Sequence, residues 1–334
     1  MLTLGRGLRW PGAMVCGATV AREAASDIPP CLGRSFGNDD QRSEHQRGAI
    51  AQPNGQDKPI TGLRETSENL MSHSAKPQLS STALDSVPEL CFDEGRYRIR
   101  LATTPADVEA ALRLRYQVFN VELGEGLASS RLTGRDKDRF DDGCHHLVVE
   151  HEGQIVGTYR MQTPEMAAAH NGLYSDGEYH LSDLGQARLD DAVEIGRACV
   201  AMEHRKQKVL FGLWRGLARY LNLQGKRYLF GCCSLTSQDT EEGRTVMAWL
   251  REQDLVWPGP LARARPRHSC AGPLPDPAAV AAVKLPTLFG TYMRFGVRVA
   301  SEPAIDREFK TIDFLVIMDT HAIPALVRRM FFSS

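Results

Sequence analysis

Six charged side chains interrupt or border segments that are otherwise apolar, and their types suit acid–base chemistry. They are Arg115, Asp138, Asp141, Arg160, Glu194 and Arg197. Burying an unpaired charge costs several kcal/mol, so three arginines and three acids predict one internal ion-pair network, and such networks cluster at active sites. Glu194, held by Arg197 or Arg160, is the candidate general base. Arginine neighbours would keep its pKa low, so we expect a water relay to assist it.

A strand, a basic turn and a helix would position this chemistry. Residues 193–200 are an apolar run that predicts a strand, and a bulge at Gly196 would bring Glu194 and Arg197 to the same side of it. Apolar residues at helical spacing follow the turn at residues 204–208. Because a helix N-terminus offers free N–H groups and a positive dipole end, the turn is typical of a phosphate site.

The remaining pattern predicts one mixed α/β domain with a twisted sheet over residues 93–334. We expect a strand at 97–102, a helix begun by Thr104-Pro105, and hairpin strands at 144–150 and 154–162 joined by Glu152-Gly153. Further on, strands are expected at 227–233, 288–299 and 312–318, and helices at 238–250 and 322–332. Residues 1–92 are rich in polar residues, glycine and proline, which predicts a disordered extension, or translation that begins at Met71.

Composition excludes some classes of function. A formal net charge of −1 gives no sign of a nucleic-acid partner. No apolar stretch is long enough to span a bilayer, so we expect a cytoplasmic protein, and the cysteines and histidines lack the spacing of a metal site. The short basic, apolar segment at 322–332 could rest on a membrane surface or pack against the sheet edge.

The order of the charged set resembles the signature of the acyl-homoserine-lactone synthases. Those enzymes have a tryptophan soon after the arginine–phenylalanine pair, whereas this chain has none between Phe119 and Asp138. Phrases such as LRYQVFNVELG, DRFDDGCHHLVV, GTYRMQTP and EIGRACV resemble the ornithine N-acyltransferases of ornithine-lipid synthesis more closely. This resemblance covers about residues 100–332. It implies a GNAT-like acyl-CoA N-acyltransferase fold and transfer of a 3-hydroxyacyl chain from acyl carrier protein to ornithine, with no cofactor.

The resemblance also implies roles for individual residues. Glu194, Arg197 and Arg160 would be catalytic; Arg115, Phe119, Asp138 and Asp141 would bind substrate; Gly196, Arg205, Lys206 and Lys208 would receive the phosphopantetheine of the acyl carrier protein. The turn lacks the glycines with which this superfamily binds the pyrophosphate of coenzyme A, which favours a donor with a single phosphate. Three alternatives stay open: another amino-acid acceptor, a homoserine-lactone-type synthase, and a non-catalytic module that binds acyl carrier protein.

Overall fold

A computed structural model describes residues 15–16, 83–205 and 207–332. In these ranges the strands are β1 (Val15–Cys16), β2 (Cys91–Glu94), β3 (Tyr97–Leu101), β4 (His145–His151), β5 (Gln154–Gln162), β6 (Ala192–Val200), β7 (Tyr228–Leu235), β8 (Arg298–Val299), β9 (Ala304–Asp306) and β10 (Thr311–Asp319). The α-helices are α1 (Pro105–Tyr116), α2 (Ser130–Thr133), α3 (Pro164–Ala169), α4 (Gln186–Asp190), α5 (Gln207–Leu223), α6 (Thr240–Glu252), α7 (Pro277–Ala281), α8 (Thr287–Arg294) and α9 (Ala325–Val327).

One mixed sheet runs through the described chain in the order β2-β3-β4-β5-β6-β7-β10-β8, with β1 beside β6 and β9 beside β10. The β6–β7 pair is parallel, and the other pairs are antiparallel. Helices flank the sheet, so the predicted fold class is confirmed. Part of the predicted extension, residues 83–92, carries a 3-10 turn at Ala83–Ser86 and the start of β2. Apart from β1, residues 1–82 lie outside the described residues.

Two helices cover opposite faces of the sheet. Leu147 belongs to the same buried cluster as the apolar side of α5, whereas its neighbour Val148 packs with Ala111 of α1. Alternate residues of a strand point to opposite faces, which is why adjacent residues serve different helices. A Cβ at Gly216 of α5 would lie 2.6 Å from Leu147, so glycine lets α5 approach the sheet closely.

Local signals in the N-terminal half are confirmed. The side chain of Thr104 accepts a hydrogen bond from the backbone of Asp107, and Asp107 bonds back to the Thr104 backbone, so α1 begins with a complete capping box. Glu152 and Gly153, between β4 and β5, both have positive φ, of 50° and 79°. A two-residue hairpin turn that matches the twist of its strands requires this conformation.

The prediction of a strand at 288–299 is wrong for most of its length. Residues 287–294 form α8, and only Arg298–Val299 form a strand. The buried side chains include two pairs that are four residues apart, Leu288 with Tyr292 and Phe289 with Met293. This spacing is that of a helix face. An apolar run of this length does not by itself separate the two periods.

The C-terminal segment packs into the core. Helix α9 continues into a π-helical turn at Arg328–Phe332, and the side chains of Val327 and Phe331 are buried. The ring of Phe331 lies 5.8 Å from that of Trp214 and 5.2 Å from that of Phe295. Packing within the protein is therefore favoured over the membrane contact. No helix among the described residues has the length and apolar character to cross a bilayer.

Candidate active site

Strands β6 and β7 are paired only at their beginnings. The parallel register joins Ala192, Val193 and Glu194 of β6 to residues 228–230 of β7, and no further pair between the two strands is formed by described residues. Beyond Glu194 the two strands diverge, and the later part of β6 pairs with β1 instead. Just after the last β6–β7 pair, a Cβ at Gly231 would lie 2.1 Å from the carbonyl oxygen of Ile195.

A bulge interrupts β6 at the residues that would do chemistry. In the register with β5, Arg160 lies opposite Gly196 and Thr158 opposite Cys199, so Arg197 and Ala198 face a single residue of β5. Arg197 carries the left-handed conformation, with φ of 49°, and the bulge therefore lies one residue after the predicted position. As predicted, Glu194 and Arg197 come to the same side and line one cavity.

Two connected spaces meet at this bulge. We call the first the inner cavity; it is lined by Arg160, Tyr174, Glu194, Gly196, Arg197, Cys232, Phe309 and Asp313, among others. The second, the outer cleft, is lined by Asp138, Arg139, Phe140, Glu178, Arg267, Asp306 and Arg307, among others. Tyr174, Arg197 and Phe309 border both. The guanidinium carbon of Arg197 lies 3.9 Å from the centre of the Phe309 ring.

Arg115 is the buried centre of the ion-pair network. Its side chain is 0% exposed; Nε donates to Asp136 Oδ1 at 2.8 Å, and Nη1 donates to Asp141 Oδ1 at 2.6 Å. Burial by itself raises the pKa of Asp141, but the charges of Arg115 and Arg160 outweigh it and lower that pKa far below its ordinary value. Asp136 was missed in the sequence, although its alternation with Asp138 in one loop could have indicated it.

The network continues to the bulge. Arg160 Nη1 donates to both oxygens of Asp138 at 2.7 Å and to Asp141 Oδ1 at 3.2 Å. Arg197 Nη2 donates to Asp138 Oδ2 at 3.3 Å. Because each arginine shares a carboxylate with its neighbour, α1, the loop at 134–141, β5 and β6 are held as one unit. The predicted network is confirmed for these residues.

Glu194 does not belong to this network, so the expectation that Arg160 or Arg197 holds it is wrong. Its Oε2 accepts the backbone N–H of Tyr174 at 2.8 Å, and its Oε1 accepts that of Ser175 at 2.8 Å. Burial raises the pKa of Glu194 above its ordinary value in spite of these two hydrogen bonds. The low pKa expected from arginine neighbours is therefore also wrong. A raised pKa makes this carboxylate a better proton acceptor.

The residues expected to receive the donor differ in their surroundings. Gly196 lines the inner cavity, and a Cβ there would meet open space. Arg205 forms an ion pair with Glu122 and donates from Nε to the Val200 carbonyl at 3.0 Å, so its guanidinium is already engaged. Lys208 is exposed in the first turn of α5. Lys206 lies outside the described residues.

Phe119 is placed in the core. It is 3% exposed and packs with Val118 and Cys199, away from the linings of the inner cavity and the outer cleft. This geometry favours a packing role over the expected contact with substrate.

A small apolar cavity of ≈ 20 Å³ adjoins the inner cavity. Its lining includes Tyr159, Trp214, Phe230, Tyr292 and Met318, while Ile195 and Cys232 border both spaces. The hydroxyl groups of Tyr159 and Tyr292 are 3.0 Å apart and satisfy each other. Its lining is therefore an apolar surface on which the two hydroxyls are already paired.

Glu178, Cys232 and Asp313 are a group of possible metal ligands among the described residues, with ligand atoms within 4.8 Å of one another. Burial and the neighbouring Glu178 raise the pKa of the Cys232 thiol well above its ordinary value. A metal bound here would have to displace the proton of this thiol, since thiols bind metals as thiolates.

Comparison with known proteins agrees with this geometry. The acetyltransferase (GNAT) domain family matches residues 114–215, which include the end of α1, the hairpin, the bulge and the start of α5. The chain is 32% identical over 237 residues to an L-ornithine N(alpha)-acyltransferase of Rhodobacter capsulatus, covering 68% of this chain and 91% of that one. It is 32% identical over 243 residues to the enzyme of the same name from Brucella abortus, covering 69% and 86%.

Among solved structures, the chain is similar to the AHL synthase LasI, with a TM-score of 0.40 and 11% identity over 73% of this chain and 96% of that one. The fold and the site define an acyltransferase of the GNAT type. Within that class, the chain belongs to the L-ornithine N(alpha)-acyltransferase family.

Proposed function

We propose that this protein transfers an acyl chain from an acyl carrier protein thioester to the α-amine of L-ornithine, the first step of ornithine-lipid synthesis. The observation that carries the proposal is Glu194, a buried carboxylate with a raised pKa that lines the inner cavity where β6 and β7 diverge, in a member of this enzyme family. An amine must lose a proton as it attacks a thioester, and a carboxylate in this position can accept that proton.

In the proposed reaction the neutral α-amine attacks the thioester carbonyl, so that a C–N bond forms and the C–S bond breaks. Glu194 takes the proton from the amine, directly or through one water, and the proton leaves with the thiol of phosphopantetheine. Backbone N–H groups near the bulge would stabilise the oxyanion, since the irregular register between β5 and β6 leaves the ladder incomplete there. Holding the two reactants together supplies much of the rate.

The donor would enter along β6. Gly196 leaves open space for a pantetheine arm beside the strand, and the adjoining apolar cavity would have to widen to take the acyl chain. Exposed Lys208, with Lys206, would meet the acidic carrier protein, whereas Arg205 would act through its ion pair with Glu122 by fixing the turn.

The arginine–aspartate network would position the bulge. Arg115 and Asp141 are buried within it, so we propose that they act through Asp138 and Arg197, which reach the outer cleft and could contact the acceptor. Arg160 would fix the strand opposite Gly196 and so the distance between donor and base.

The test is acylation of ornithine by the purified protein with an acyl carrier protein thioester, followed by mass spectrometry of the product. Glu194→Gln should lower kcat by roughly 10²-fold while binding of the acyl carrier protein stays unchanged. Equal turnover in this variant contradicts the role of Glu194. If the parent protein binds the acyl carrier protein but shows no turnover, the proposed enzymatic activity is contradicted and the non-catalytic module is favoured.

A further inference from the structure

Three buried carboxyl groups lie together between the inner cavity and the outer cleft. Glu178 and Asp306 border the outer cleft, Asp313 borders the inner cavity, and all three are at most 5% exposed. We call them the acid pocket. The hydroxyl of Tyr174 lies 3.4 Å from Asp306 Oδ2 and also bonds to Glu178, and Glu178 bonds to Asp313.

The acid pocket lacks the cations that balance the arginine–aspartate network. In the described ranges of the chain, no lysine or arginine forms an ion pair with Glu178, Asp306 or Asp313. Asp313 also has an oxygen, Oδ1, that is buried and has no hydrogen-bond partner among the described residues. A buried acceptor of this kind costs free energy unless something arrives to satisfy it.

Two of these carboxyls, Asp313 and Glu178, have raised pKa values. Burial and the charge of Asp306 raise the pKa of Asp313 to about 6, and burial with the charge of Asp313 raises that of Glu178 well above its ordinary value. A cation placed among them would lower both pKa values and pair with the ionised forms.

The acid pocket is a few contacts from the candidate base. Glu194 and Asp313 line the same inner cavity. Ser175, whose N–H donates to Glu194, has its Oγ 3.7 Å from Cys232 Sγ, which in turn lies 3.9 Å from Glu178 Oε2. A ligand with two nitrogens joined by a short methylene chain would therefore bring one to Glu194 and the other to the acid pocket.

We infer that the acid pocket binds the side-chain ammonium of the diamino-acid acceptor while the α-amine faces Glu194, an inference that rests on the proposed function. The pocket then selects the acceptor. An amino acid without a terminal amine leaves the acid pocket without a cation and Asp313 Oδ1 without a partner, and sites with buried polar groups reject such analogues strongly. It also directs acylation to the α-nitrogen, because the terminal nitrogen is held as a cation and cannot attack.

The first test compares ornithine with norvaline, which has the same carbon skeleton without the terminal amine. The parent protein should prefer ornithine in kcat/KM. Asp313→Asn and Glu178→Gln should each reduce that preference at least 10-fold, mainly through the KM for ornithine, with the KM for the donor unchanged. Asp93→Asn, an exposed acid on β2, is the matched control and should keep the parental preference.

The second test does not depend on turnover. Ornithine should raise the thermal midpoint of the parent protein and of Asp93→Asn, and norvaline should not. In Asp313→Asn the ornithine effect should disappear, while the midpoint of the free protein stays equal or rises because an unpaired buried acid has been removed. A purely structural role predicts the reverse, a lower midpoint in the free protein. Asp306→Asn replaces Glu178→Gln if the latter does not fold.

The outcomes separate the inference from the proposed function. The protein could acylate ornithine and prefer it to norvaline, with that preference unchanged in the acid-pocket variants. This result would overturn the inference and leave the proposed function standing. Absence of acylated ornithine, with an ornithine-dependent midpoint that requires the acid pocket, overturns the proposed function and supports the inference. Loss of activity on adding a chelator, together with one equivalent of divalent metal bound through Glu178, Cys232 and Asp313, overturns the inference in favour of a metal site.

Discussion

Arg115 is fully buried and shares its guanidinium between two carboxylates, so its neighbours depend on it for neutralisation. Arg115→Met should lower the free energy of unfolding by about 3–5 kcal/mol, because two buried acids each lose one of their two cations. Urea denaturation measures this. The matched control is Arg113→Met on the same helix, where an exposed i,i+4 pair with Glu109 is removed and the change should stay below about 0.5 kcal/mol. A similar small effect in both variants would contradict the network.

Asp313 gives the protein a pH-dependent stability of its own. Its pKa rises from the ordinary 3.8 to about 6 in the folded state, so the folded state binds the extra proton. The stability that this proton contributes is complete below pH 3.8 and is lost as the pH rises through about 6. The loss is on the order of 2–3 kcal/mol for this buried group.

Asp313→Asn cannot bind that proton, so its free energy of unfolding should lack this fall between about pH 4 and pH 7. Chemical denaturation of the parent and the variant across that range measures the difference. Parallel curves for the two proteins would show that Asp313 keeps an ordinary pKa.

At the scale of elements, β7 can run close to β6 only because residue 231 has no side chain. A Cβ there would lie 2.1 Å from the carbonyl oxygen of Ile195, which belongs to the backbone and cannot rotate away. Gly231→Ala should therefore lower the free energy of unfolding by about 1–3 kcal/mol and reduce turnover by displacing β6.

Gly290→Ala is the contrasting variant, and thermal scans measure the stability of both variants. Gly290 lies within α8, and a Cβ there meets open space. Alanine should stabilise this helix by about 0.5–1 kcal/mol. A loss of stability at both positions would mean that glycine is needed for a reason other than the contact with Ile195.

At the scale of the whole molecule, the C-terminal segment closes the core beside α5. Phe331→Ala should cost about 3–5 kcal/mol, because the ring packs against Trp214 and Phe295, while Leu326→Ala, at an exposed position, should cost little. Thermal scans and co-sedimentation with anionic vesicles distinguish packing from membrane contact. If pelleting with vesicles depends on Leu326 and the thermal midpoint of Phe331→Ala is unchanged, the segment contacts a membrane instead of packing in the core.

Much of the architecture followed from local sequence. The capping box of α1, the Glu152-Gly153 turn and the strand, turn and helix around β6 rest on contacts between residues a few positions apart. Charges inside apolar segments also indicated an ion-pair network, because a buried charge requires a partner wherever that partner lies in the sequence. Family phrases indicated the class of enzyme, which the comparisons support.

Other features were decided only by the tertiary structure. Glu194 has a raised pKa because the fold buries it, and no arginine of the described residues forms an ion pair with it. The acid pocket joins Glu178 to Asp306 and Asp313, two acids on a hairpin more than a hundred residues later. Periodicity and capping report interactions along a few turns of chain, whereas burial and the pairing of charges depend on which distant segments meet. A carboxylate's neighbours, and hence its chemistry, are therefore set by the fold.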